Sequence, residues 1–111
     1  MQFLLLIYEN EKRFSNGYDP AEMGEYHAFG QEFAKQIKGG NALQATGTAK
    51  SVRVRNGKTA TTDGPFAETK EQLGGFYLVE AGNIDEASKM AAKIPGARFG
   101  TVEVRPIMTF S

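Results

Sequence analysis

The chain has 111 residues, in which thirteen Lys and Arg balance thirteen Asp and Glu, and it contains no cysteine. The length fits one domain, residues 1–111, which can bury about two-thirds of the surface that the unfolded chain exposes. A zero net charge gives no field to attract nucleic acid or an anionic membrane, and the lack of cysteine excludes thiol nucleophiles, thiolate metal sites and disulfides. We therefore expect a cytoplasmic protein whose partners are neither nucleic acid nor membrane.

The chain begins with a short apolar segment, Phe3–Ile7, which charged residues follow. Such a run cannot span a membrane, and it has neither the basic segment nor the small-residue cleavage site of a signal peptide. It predicts instead an interior strand over residues 3 to 8, with apolar side chains on both faces.

A first helix is predicted to begin after Asp19, which supplies the N-cap, with Pro20 as the first helical residue and Glu22 completing a capping-box pattern. Glu22 and the other charged residues mostly take the solvent faces of this helix. The buried face repeats at intervals of three and four, through Met23, Tyr26, Phe29, Phe33 and Ile37. Gly39-Gly40 is predicted to end the helix in left-handed geometry.

A weak strand candidate, Asn41–Thr46, precedes a clear β-hairpin. Two alternating runs, Ser51–Arg55 and Lys58–Thr62, flank the dipeptide Asn56-Gly57. Asn-Gly between alternating runs is the strongest short hairpin signal in a sequence, so we predict an antiparallel ribbon with a two-residue turn.

The predicted hairpin gathers positive charge on one side. A two-residue turn pairs Arg55 with Lys58 and Arg53 with Ala60, which places the three cations together. This basic edge either discourages aggregation between sheets or contacts an anion from a ligand or a second subunit.

The last third of the chain predicts a strand, a helix and a strand. Leu73–Ala81 is the first strand, and Thr101–Arg105 is the last, ending at Pro106. Between them Asn83 caps a helix that closes at Pro95-Gly96. The buried stripe of this helix is Ile84, Ala87, Met90, Ala91 and Ile94.

The order of these elements predicts the fold class. Two helices cross between strands, and right-handed crossovers place both helices on the same face of one sheet. We predict an α+β, ferredoxin-like sandwich of the dimeric α/β-barrel type, with an antiparallel sheet, two helices on one face and an inserted β-hairpin. The other sheet face is apolar and uncovered, which favours a homodimer through the sheet face.

Four segments together resemble the DGPF (DGPFAETKE) branch of the YCII-related domain family: Val54–Lys58, Thr62–Gly75, Phe76–Glu80 and Val102–Pro106. The resemblance extends over almost the whole chain. It implies a ferredoxin-like fold and homodimers built through the sheet. It also implies a regulatory context, because some relatives are encoded beside, or fused to, extracytoplasmic-function sigma factors.

His27 and Asp63 are the predicted catalytic residues. The resemblance implies an acid–base pair of a histidine and an aspartate, and His27, the only histidine, lies about one turn before the implied position near Gly30. Asp63 is nominated because the loop Thr46–Lys50 has no carboxylate. Each residue has a structural alternative, which is a hydrogen bond at a rim for His27 and a turn-locking role for Asp63.

Five further residues are predicted to contact a ligand: Phe66, Glu68, Lys70, Tyr77 and Arg105. Glu68 and Lys70 have the alternative of solvating a short turn. One histidine with scattered carboxylates predicts no zinc site, although an oxygen-only magnesium site stays open. No glycine-rich phosphate loop is present, so we expect no nucleotide cofactor or other cofactor.

Two functions follow from these residues. The first is metal-free acid–base catalysis on a small polar substrate in a cleft, and it requires titrating groups that converge on one pocket. The second is a non-catalytic ligand-sensing or accessory protein linked to extracytoplasmic-function sigma factor regulation. It requires a partner surface, for which the basic hairpin edge is the best candidate.

Overall fold

The computed structural model describes residues 1–110. Its strands and helices are β1 (Gln2–Glu9), α1 (Pro20–Glu32), β2 (Ile37–Ala42), β3 (Lys50–Arg55), β4 (Lys58–Asp63), β5 (Gln72–Glu80), α2 (Ile84–Ala91) and β6 (Thr101–Pro106). Short 3-10 turns cover Glu11–Phe14, Thr46–Thr48 and Pro95–Arg98. Within this described part of the chain, no helix is long and apolar enough to cross a membrane.

The main sheet has four strands in the order β2-β5-β1-β6, and every neighbouring pair is antiparallel. β3 and β4 form a separate two-stranded ribbon between β2 and β5 in sequence. The sheet stays open, with β2 and β6 at its edges. This arrangement confirms the predicted α+β, ferredoxin-like fold with an inserted hairpin.

The core lies between the sheet and the two helices. Alternate residues of β1, namely Phe3, Leu5 and Ile7, are buried and pack with Phe29 of α1 and with Ala87, Met90 and Ala91 of α2. Leu4 and Leu6, on the opposite face, stay half-buried because no helix covers them. Burying each large apolar side chain contributes about 1.5–3 kcal/mol, so this layer fixes the direction of β1.

The predicted end of the first helix is wrong. α1 ends at Glu32, and Ile37 through Gly40 belong to β2, where Ile37 lies opposite Val79 of β5. Ile37 fits a helical period, but pairing with the buried Val79 of β5 outweighs the helical preference of residues 34–36. Gly40 instead permits a close approach of strands, since a Cβ there would lie 2.5 Å from the carbonyl oxygen of Phe76.

The predicted hairpin register is confirmed. Arg55 lies opposite Lys58 and Arg53 lies opposite Ala60. The turn residues Asn56-Gly57 both have positive φ, 53° and 75°, as a two-residue hairpin turn requires. Every residue of the ribbon except Ser51 is exposed, so the hairpin extends away from the core.

Three other expectations need correction. Ile84, assigned to the buried stripe of α2, is 45% exposed. The weak strand candidate over Asn41–Thr46 is a strand only at Asn41 and Ala42, and the rest is loop and 3-10 turn. Met23, assigned to the buried stripe of the first helix, is 53% exposed and lines a cavity instead of packing in the core.

Candidate functional site

A cavity of about 710 Å³ opens between the end of β1, the first turns of α1 and the strands β2 and β5. Four aromatic residues on the helix side of the sheet line it, namely Phe14, Tyr18, Tyr26 and Tyr77. Gly40, Gly74 and Gly75 also line it, and at these three positions the strands β2 and β5 leave room because a glycine has no side chain. The volume is in the range of pockets that hold small molecules.

Two buried carboxylates, Glu9 and Glu22, also line this cavity. Glu9 continues the inward-facing series of β1, and Glu22 lies in the first turn of α1. The side chain of Arg13 lies between them. Its Nη2 donates to Glu9 Oε1 at 2.8 Å and to the two oxygens of Glu22 at 2.8 and 3.0 Å. One guanidinium therefore faces two carboxylates, which leaves the cluster one negative charge in excess.

Aromatic rings hold Arg13 in place. The guanidinium carbon lies 3.9 Å from the ring centroid of Phe99 and 4.7 Å from that of Phe14. Its Nε is buried and has no hydrogen-bond partner among residues 1–110. In this position the guanidinium of Arg13 neutralises and orients the two carboxylates.

Glu9 has the properties of a proton-transfer group. Burial raises the pKa of Glu9, the hydrogen bond and charge of Arg13 oppose the rise, and the charges of Glu22 and Glu71 add to it. A carboxyl group with a raised pKa gives and takes protons closer to neutral pH than an ordinary glutamate does.

Tyr26 supplies a hydroxyl group beside Glu9. Burial and the charge of Glu9 raise the pKa of Tyr26 to about 12, so the phenol stays protonated. The Tyr26 Oη accepts a hydrogen bond from the Gly96 N–H at 3.2 Å, which leaves its own hydrogen free to donate. A Cβ on Gly96 would lie 2.9 Å from Tyr26 Oη and 3.2 Å from the carboxyl carbon of Glu9, so the two groups meet at this glycine.

Two of the seven predicted site residues line a cavity. Tyr77 lines the large one, where its ring packs 5.0 Å from that of Phe29 and burial raises its pKa. Lys70 lines a smaller recess beside it. The other five line neither of these two cavities: His27, Asp63, Phe66, Glu68 and Arg105.

The predicted catalytic pair is not brought into the cavity. His27 is exposed on α1, and the Asp63 side chain is 87% exposed, with Oδ1 3.1 Å from Lys50 Nζ. Phe66 is 82% exposed and does not shield Asp63 from water. Asp63 is the last residue of β4, so its side chain belongs to the exposed hairpin and not to the cavity wall.

The surroundings of Arg105 also differ from those predicted. It is exposed and pairs with Glu103, two residues earlier on β6, rather than with the carboxylates of the Asp63 turn. Glu68 is likewise exposed.

The sequence interpretation missed the Glu9, Arg13 and Glu22 cluster. A signal existed, because Glu9 stands where the alternation of β1 places a buried residue, and Arg13 follows it four residues later. Glu22 was assigned to capping and solvent, but only Asp19 caps the helix, accepting from the Ala21 N–H at 3.0 Å. Among residues 1–110, no group of three or more His, Asp and Glu side chains could hold a metal ion.

The family model of the YCII-related domain matches residues 1–111. An uncharacterised protein from Rhizobium meliloti is 33% identical over 117 residues, which cover 99% of this chain and 94% of that protein.

The structure is also similar to a solved one. That structure is 5-chloro-2-hydroxyhydroquinone dehydrochlorinase (TftG) from Burkholderia phenoliruptrix, in complex with 2,5-dihydroxybenzoquinone. The TM-score is 0.58 at 17% sequence identity, over 97% of this chain and 94% of that chain. At this identity the likeness bears on the fold, and it agrees with the α+β sandwich described above.

Proposed function

This chain belongs to the YCII-related domain family, and we propose that it binds a small hydroxylated or carbonyl-bearing ring compound and catalyses proton transfer on it. The observation that carries the proposal is the buried carboxyl group of Glu9, whose pKa is raised, at the wall of an aromatic cavity. A carboxyl group that costs free energy to bury is more valuable for chemistry than for stability.

The cavity suits a planar ring. Its aromatic lining offers flat apolar surfaces, and aromatic contacts favour stacked or tilted rings. The ligand of the structurally similar dehydrochlorinase, 2,5-dihydroxybenzoquinone, is of this class, which supports the proposal without assigning that ligand to this chain.

The proposed step is a keto–enol proton transfer. Ionised Glu9 takes the proton of a ring hydroxyl group, and the electron pair of the broken O–H bond stays on the oxygen. Tyr26 donates a hydrogen bond to that oxygen, and protonated Glu9 then returns the proton to a ring carbon. Atoms and electrons balance without an oxidant or reductant, and Arg13 keeps the carboxyl group of Glu9 oriented throughout.

Hydrogen–deuterium exchange tests this step. The ring C–H groups of 2,5-dihydroxybenzoquinone are followed by NMR in heavy water, with wild-type protein and with the Glu9→Gln variant. We expect wild-type protein to accelerate exchange and Glu9→Gln to lose about 100-fold, the usual contribution of one general acid–base group. The matched controls are His27→Gln and Asp63→Asn, which alter exposed residues outside the cavity lining.

Full exchange activity in Glu9→Gln would refute the assignment. Loss of activity in His27→Gln and Asp63→Asn instead would return the chemistry to the pair predicted from the sequence.

Ligand sensing without catalysis is the second candidate. The projecting hairpin favours it, because Val52 and Val54 are 62% and 57% exposed on one face, while the three cations Arg53, Arg55 and Lys58 occupy the other. On this view the wild-type protein binds the ring but does not accelerate exchange. A link to sigma-factor regulation stays a prediction from family resemblance.

A homodimer through the sheet is part of the proposal. The face opposite the helices carries Leu4, Leu6, Phe76 and Leu78, which stay half-buried in one chain. Light scattering during size-exclusion chromatography should give twice the chain mass for wild-type protein and a smaller mass for Leu6→Glu. A monomeric wild-type protein would contradict the proposal.

A further inference from the structure

A second, polar recess of about 340 Å³ lies beside the main cavity. Its lining consists of Asn10, Glu11, Lys12, Thr69, Lys70 and Gln72. Glu11 and Gln72 also line the main cavity, so the two spaces are neighbours across these side chains. The main cavity and the recess are therefore adjacent, with Glu11 and Gln72 at their boundary.

The recess has an excess of positive charge. Lys12 and Lys70 are exposed, and neither takes part in an ion pair within residues 1–110. The one carboxylate of the recess, Glu11, already accepts from the Thr46 N–H at 2.8 Å and from Thr46 Oγ1 at 2.6 Å. Two ammonium groups on one recess repel each other, and a bound anion would relieve that repulsion.

The backbone around the two lysines is held by local hydrogen bonds. Gln72 Nε2 donates to the carbonyl oxygens of Ala67 and Thr69 at 3.3 and 3.2 Å, which ties the loop before Lys70 to β5. The Lys12 N–H donates to Asn10 Oδ1 at 3.0 Å. The positions from which the two side chains extend are therefore fixed, although their ends are free to adjust.

We infer that Lys12 and Lys70 bind a carboxylate group of the same molecule whose ring occupies the main cavity. The inference rests on the proposed function and narrows its substrate class to hydroxylated aromatic or quinone-type acids. Each ammonium group would donate a charge-assisted hydrogen bond to the carboxylate, while Glu9 and Tyr26 act on the ring.

A matched pair of compounds tests the inference. Hydroquinone is neutral, and 2,5-dihydroxyphenylacetate adds a carboxylate on a short arm to the same ring. Calorimetric titration of wild-type protein should show the acid binding about fivefold tighter, as two exposed ion pairs allow. The preference should disappear at high ionic strength and in the Lys12→Gln, Lys70→Gln double variant, while hydroquinone affinity stays unchanged.

Lys35→Gln is the control, because Lys35 is exposed in the turn between α1 and β2 and lines neither space. An acid that binds the double variant as tightly as wild type would overturn the inference and leave the ring site intact. Hydroquinone failing to bind wild-type protein, while acid binding still depends on the two lysines, would refute the proposed function and leave the anion site standing.

Discussion

Replacing Arg13 with Met should destabilise the protein strongly near neutral pH. The substitution keeps an unbranched side chain over Phe99 but removes the donor for three carboxylate oxygens within 3.0 Å. Glu9 and Glu22, each 7% exposed, would then stay buried without a cation. Two unpaired buried carboxylates repel each other and lack the solvation that water would give them.

The magnitude follows from the geometry. Removing one partner of a buried ion pair costs about 3–5 kcal/mol. The Arg13 side chain is 27% exposed, so we expect the lower end of that range, about 3 kcal/mol. The cost should shrink as the pH falls, because protonated carboxyl groups no longer need the cation. A domain of ordinary stability, about 5–15 kcal/mol, would survive the change and could be measured.

Urea unfolding followed by circular dichroism provides the assay, near pH 7 and near pH 4.5. Arg98→Met is the matched control, since Arg98 also faces Phe99 but pairs with Glu25 at the surface. We expect the control to cost less than Arg13→Met and to change little with pH. An Arg13→Met cost that equals the control, or that is the same at both pH values, would refute the view that Arg13 neutralises buried charge.

Three further predictions concern the cavity wall and the strands around it. The pKa of Glu9 is raised in the folded state, so wild-type protein loses stability as the pH rises through that pKa. Glu9→Gln has no such proton to lose, so its stability should rise relative to wild type as the pH rises. Unfolding midpoints of the two proteins that run parallel with pH would contradict this. Gly96→Ala would place a methyl group 2.9 Å from Tyr26 Oη, so it should cost about 1–3 kcal/mol and weaken hydroquinone binding, whereas unchanged binding would separate Gly96 from the site. Gly40→Ala meets the carbonyl oxygen of Phe76 at 2.5 Å with a φ of 152°, so thermal unfolding should show a cost of about 1–3 kcal/mol, and a neutral result would mean that β2 shifts freely.

Elements with strong local signals could be predicted from the sequence. Asn56-Gly57 sets the hairpin register, because few residue pairs adopt two positive φ values without strain. Asn83 caps α2 as expected, accepting from the Glu86 N–H at 2.9 Å. In each case a few neighbouring residues determine the backbone, so no distant contact needs to be known.

The end of α1 could not be predicted in this way. Phe33 and Ile37 continue a helical spacing, yet the chain leaves the helix after Glu32 so that Ile37 can lie beside Val79. The competing strand pairing involves β5, which lies some forty residues further on. A local period cannot report such a contact.

The candidate site depends even more on long-range contacts. From its neighbours in sequence Glu22 is interpreted as a capping residue. Only the folded structure shows that it is buried and pairs with Arg13. Asp63 shows the opposite error, because a distinctive turn motif suggested a site where the structure has an exposed carboxylate. The burial of charged side chains in the structure therefore identified the candidate groups, whereas the distinctive sequence motif around Asp63 did not.

The ionisation of Glu9 can be measured at its own carboxyl carbon. Its ¹³C signal, assigned through Glu9→Gln, can be followed by NMR titration with and without hydroquinone. We expect a pKa above the ordinary 4.5 for glutamate and a change in that titration when the ring binds. An ordinary titration that hydroquinone leaves unaltered would contradict the assignment of Glu9 to the site.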